Sequence, residues 1–114
     1  MATLNRSAVV VKPKQPFLDW LHGVDPTSHH LTLRDLEQEP TIYLIPECDT
    51  GAEVAQALRK QCEEIFTEQL AGWFNDEKTW PQNRGFDVFC HWFDFRHHSM
   101  LVDLCNDPLI LELE

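Results

Sequence analysis

Ala8 to Val11 is a short apolar run rich in β-branched side chains, and it leads into Lys12-Pro13-Lys14. The run predicts a first strand that ends, or lies at an edge, near Pro13, because proline has no N–H to give a ladder. In QPFLDWLHG, which follows, Pro16 suits a first helical turn, Phe17, Leu18, Trp20 and Leu21 supply an apolar side, and Gly23 supplies a stop. After a polar turn, Thr32-Leu33-Arg34-Asp35 has the pattern of a second helix start, with the Thr32 hydroxyl placed to accept an orphan backbone N–H. Pro40 ends that helix. Thr41 to Ile45, bounded by Pro40 and Pro46, is the clearest strand pattern in the chain.

The longest helix is predicted over 51–74, opened by the capping pattern Thr50-Gly51-Ala52-Glu53. Val54, Leu58, Cys62, Ile65, Phe66, Leu70 and Trp73 recur at helical spacing on one side, whereas Glu53, Gln56, Lys60, Glu63, Glu64, Thr67 and Glu68 fall on the other. One side therefore packs on a sheet. Residues 75–85 read as a polar loop anchored by Trp80-Pro81, and Phe86, Phe89, Cys90 and Phe93 predict a short helix over Phe86–Phe93. From Phe95 the pattern changes to a strand running to about Cys105, and the tail LILELE alternates apolar and acidic residues.

These elements follow the order β-α-α-β-α-α-β. They predict one α+β domain over residues 1–114, with a sheet of about three strands and helices largely on one side. Helical crossovers allow parallel pairing, and a sheet this small allows antiparallel pairing equally.

Composition changes the picture in one respect. The formal charge is −10, yet residues 1–34 carry a net +2, which leaves −12 for residues 35–114. Such a field repels phosphate backbones and anionic membrane surfaces, so direct nucleic-acid binding is not expected, and a protein partner, in particular a basic one, fits better. Hydrophobic residues at 43% are enough for a core, and no apolar run approaches the roughly 18 residues of a membrane span. The N-terminal segment lacks the long apolar stretch of a secretory signal, and Cys48, Cys62, Cys90 and Cys105 are widely spaced with no C-x-x-C pair. A cytoplasmic protein with free thiols is expected.

The segment CHWFDFRHHSMLVDL, Cys90 to Leu104, concentrates cysteine and histidine and raises the question of a metal. Candidate ligands are His91 and His98, with Cys90 and Asp94. None of the zinc spacings with a known geometry occurs, and on a strand His97 and His98 point to opposite faces. If the strand runs to Cys105, His98 shares a face with Met100, Val102 and Leu104, which places it in the core or at its rim and turns His97 to a polar patch. No nucleophile elbow, glycine-rich phosphate loop or dinucleotide fingerprint is present, so neither a cofactor nor catalytic residues are predicted. Among the many aromatic residues, Trp80 and Trp92 would be natural interaction anchors if exposed.

The segments PKQPFLDWL, TIYLIPE, EEIFTEQLAGWF, WP and HWFDFRHHSMLVDL, in this order, resemble a group of small acidic bacterial proteins of unassigned activity. The resemblance implies a bacterial cytoplasmic protein and transfers no catalytic residue. Three functional expectations follow. The first is a non-enzymatic protein-interaction module with an acidic surface. A metal-binding protein or small metal-dependent hydrolase using His91 and His98 is the second. The third is an inhibitor or antitoxin-like protein whose acidic face mimics nucleic acid.

Overall fold

The computed structural model describes residues 1–113. Strand β1 is only Ala2–Thr3, and the predicted first strand is β2, Arg6–Pro13. Helix α1 covers Gln15–Val24 with Pro16 in its first turn, and a 3-10 turn follows at Pro26–Ser28. Helix α2, Leu33–Glu37, carries the reciprocal cap anticipated at Thr32: its hydroxyl accepts from Asp35 N, and the Asp35 carboxylate accepts from Thr32 N. That box holds together a helix of five residues, which propensity alone would not sustain.

Strand β3, Thr41–Pro46, leads to α3, Gly51–Trp73, where the Thr50 hydroxyl accepts from Glu53 N. Helix α4, Phe86–Trp92, passes directly into β4, Phe93–His98. Val102–Asp103 forms β5.

The sheet is β3-β2-β4, antiparallel throughout, with Arg6–Val11 of β2 facing Thr41–Pro46 and Ala8–Pro13 facing Phe93–His98. Long connections through pairs of helices return each neighbour antiparallel to β2. The predicted fold class is therefore observed: a small α+β domain with a three-stranded sheet and helices.

Pro13 ends the central strand and not an edge strand. It sits at the last register position, opposite Phe93, where its missing N–H breaks no continuing ladder.

The last strand differs from its prediction. It begins at Phe93, stops at His98, and does not continue to Cys105. Val102–Asp103 instead pairs with Ala2–Thr3 in a separate two-stranded ribbon, extended by Leu4 N donating to Leu101 O at 2.9 Å. The apolar residues Met100, Val102 and Leu104 thus never share a face with His98.

One side of the sheet is the core. Val9, Val11, Ile45 and Phe93 pack with Phe17, Leu18 and Leu21 of α1, Leu36 of α2, Val54, Leu58, Cys62, Ile65, Phe66 and Leu70 of α3, and Phe89 of α4. The apolar spacing of α3 explains this choice of face, since each buried residue of that helix belongs to the row read from the sequence. Aromatic rings dominate the centre: Phe66 lies edge-on to Phe93 at 5.1 Å and tilted to Trp92 at 5.3 Å. Such pairs add to the stabilisation from area alone.

Beyond β5 the chain takes no regular structure, and Leu104 to Leu113 is exposed. The radius of gyration is 15.6 Å, against about 13 Å for a compact chain of this length.

Candidate functional site

The alternation of β2, β3 and β4 gives the sheet a second side. Ser7, Val9, Val11, Thr41, Tyr43, Ile45, Phe93, Phe95 and His97 are buried or half-buried on the helix side. The opposite side carries Arg6, Ala8, Val10 and Lys12 from β2, Ile42 and Leu44 from β3, and Asp94, Arg96 and His98 from β4. Register sets these residues in rows, with Leu44, Ala8 and His98 across one and Ile42, Val10 and Arg96 across the next. The β3 positions of this side are open to solvent, Ile42 at 62% and Leu44 at 56%, whereas Ala8, between Leu44 and His98, is buried.

This uncovered face has two halves. The half at β3 is apolar, built from Ile42, Leu44 and Val10. Beside it Val10, Lys12, Pro40, Asp94, Arg96 and His98 line a hollow of ≈ 270 Å³. Lys12 and Arg96 against Asp94 give the hollow a positive formal charge, in a chain whose net charge is −10, and Arg6 adds to the same face from the other end of β2. Acidic residues gather elsewhere. Glu64, Glu68 and Glu77 line an open groove between α3 and the 3-10 turn at Glu77–Thr79, together with Trp80 and Arg84.

The metal candidates do not converge. Cys90 is half-buried on α4, with burial first and Asp87 second pushing its thiol above the ordinary value. His91, on the same helix, is exposed, and its Nδ1 lies 2.7 Å from the Asp87 carbonyl oxygen. Asp94 and His98 share the outer face of β4 four residues apart, which is about 13 Å along a strand and too far for one ion.

Among the described residues, no three His, Cys, Asp or Glu side chains are grouped to hold a metal. The placement of the adjacent histidines is also reversed from the sequence reading. His98 is exposed on the outer face, whereas His97 is half-buried on the helix side with Nε2 shielded from solvent and unpartnered. Phe93 and Phe95 decide this, because they and His97 alternate onto the side that the core occupies.

Trp80 and Trp92 are both half-buried and packed against the core. Trp80 donates its indole N–H to the Phe74 carbonyl at 3.0 Å, and Trp92 lies against Phe17, Trp20 and Phe66. Their rings are largely committed to the body. The residues that sequence reading missed are Ile42, Leu44 and Val10. Their signal was present in TIYLIP, where apolar residues occupy both strand faces, a pattern that a strand covered on one side does not need.

Comparison with protein-family models, with curated proteins and with solved structures found no match to the chain. Among the described residues no helix is long and apolar enough to cross a membrane.

Proposed function

We propose that the chain is a non-enzymatic protein-interaction module that binds through the uncovered outer face of its sheet. The observation that carries this reading is the exposure of Ile42 and Leu44 beside the half-buried Val10 on the outer side of the sheet. Contiguous apolar side chains of this kind, rimmed by charge, are characteristic of docking surfaces. The free outer edge of β3 adds unpaired backbone groups next to them.

Local charge refines the partner. Although the net charge favours a basic partner, Arg6, Lys12 and Arg96 suit this face to a segment that is apolar and acidic. The absence of a convergent group of ligands among the described residues leaves the hydrolase reading without a centre to act from.

The test is a paired capture experiment with the full chain and with an Ile42→Glu/Leu44→Glu variant. Both substitutions are at exposed positions, so the variant is expected to retain the far-ultraviolet circular dichroism and melting behaviour of the parent. The reading requires that binding seen with the parent disappears in the variant, and that a cysteine placed at position 44 is protected from alkylation by the bound partner. Retention of every partner by the folded variant would overturn it.

A further inference from the structure

The chain itself contains a segment that matches this face. Leu109-Ile110-Leu111-Glu112-Leu113 is exposed along its whole length, with Leu111 at 81% and Leu113 at 92%. In an extended conformation Leu109, Leu111 and Leu113 form one apolar row, and Ile110 and Glu112 alternate to the other side. A row of leucines is the complement of Ile42, Leu44 and Val10.

We infer that the occupant of the outer sheet face is the Leu109–Leu113 segment of a second copy of this chain, exchanged reciprocally between two protomers. This rests on the sheet face being a docking surface, and it adds what docks there. Three observations favour a second copy. The tail is exposed on its own body at every residue from Leu104 to Leu113.

The base of the tail is held by pairing of Val102–Asp103 with Ala2–Thr3, so residues 104–113 leave from a fixed point. Ten extended residues reach about 33 Å, enough to cross onto a neighbouring body. Finally, each copy offers one face and one tail, so a two-fold exchange satisfies both and leaves no unfilled site to propagate into a fibre. A monomer would leave Ile42, Leu44, Leu109, Ile110, Leu111 and Leu113 all facing water.

The experiment is native mass spectrometry and light scattering over a concentration series, using the pure protein and two folded variants. Ile42→Glu/Leu44→Glu disables the face, and Leu111→Ser/Leu113→Ser disables the tail at positions too exposed to affect the core. The parent is expected to be a dimer, and either variant alone is expected to weaken dimerisation by about a hundredfold or more. An equimolar mixture of the two variants recovers heterodimer, because one intact face meets one intact tail.

A parent that stays monomeric at every concentration overturns the inference. Monomers in which the serine substitutions raise hydrogen exchange at residues 42–44 overturn it in favour of the chain's own tail. A dimer abolished by the face variant and untouched by the tail variant overturns the tail as occupant and keeps the face as an interface. If the face variant changes neither self-association nor the capture described above, the functional reading falls too.

Discussion

The Ser7 hydroxyl and the Cys48 main chain close a reciprocal contact across forty-one residues: Ser7 Oγ accepts from Cys48 N at 2.9 Å and approaches Cys48 O at 3.4 Å as donor. Both residues are buried. The contact fixes the loop that leaves β3 beside the start of β2 and supplies the only polar side chain buried in that strand. Replacing Ser7 by alanine strands the Cys48 N–H away from water, and the expected cost is about 1–3 kcal/mol. Urea unfolding of Ser7→Ala measures it directly, and a change below about 0.5 kcal/mol, the range of an ordinary surface substitution, would mean that the loop finds another partner.

Tyr43 is the one tyrosine in the chain, so its ionisation can be followed without ambiguity. Its hydroxyl donates to Glu68 Oε1 at 2.8 Å and accepts from Gln69 Nε2 at 2.9 Å. Burial is the leading cause that pushes the phenol well above its ordinary value, with Gln69 acting against it and the Glu68 carboxylate adding to it. The folded value is thus raised above the unfolded one. The corresponding stability is fully present below the unfolded value of about 10 and is lost as pH rises above it toward the folded value. Phenolate absorbance is expected to appear late in the native protein and early in urea; coincident titrations would show that the Tyr43–Glu68 contact does not persist in solution.

The four cysteines differ in their surroundings. Burial raises the thiols of Cys48, Cys62 and Cys90, while Cys105 is exposed in the segment beyond β5. A thiol reagent at mildly alkaline pH is expected to modify Cys105 rapidly, the half-buried Cys90 more slowly, and Cys48 and Cys62 only as the fold opens. Peptide mapping after a short pulse reads this order. Early labelling of Cys62 would contradict the packing of α3.

Phe66 is the centre of the aromatic cluster, in contact with Phe89, Trp92 and Phe93 and without solvent exposure. Phe66→Ala is expected to cost about 3–5 kcal/mol, a large part of the stability of a domain this size. Calorimetry of the variant should show a much lower melting temperature or no cooperative transition. A modest shift would place the cluster outside the cooperative core.

The elements with strong periodicity were legible in the chain itself. Val9 and Val11, the Thr32 and Thr50 caps, and the row from Val54 to Leu70 each have a local physical cause, and local causes survive folding. The end of the last strand was not legible, because Met100, Val102 and Leu104 continue the alternation of β4 in sequence while belonging to another ladder in space. That one extension was enough to turn His98 inward on paper, whereas Phe93 and Phe95 turn it outward in the fold. Strand β1 carries no signal at all: Ala2–Thr3 is a strand only because Val102–Asp103 pairs with it. The uncovered face was hidden for a related reason. Exposure of Ile42 and Leu44 depends on what fails to cover them, and sequence alternation reports only which residues share a side.

The central position of β2 has a consequence for how the chain is made. Its partner β3 is synthesised soon after it, but Ala8 must wait for His98, ninety positions later. At translation rates of 5–20 residues per second that interval is roughly 5–18 s. Throughout it one edge of a valine-rich strand stands open. Nascent chains stalled before Phe93 are therefore expected to hold residues 8–11 with one unpaired edge until α4 delivers β4 to the sheet.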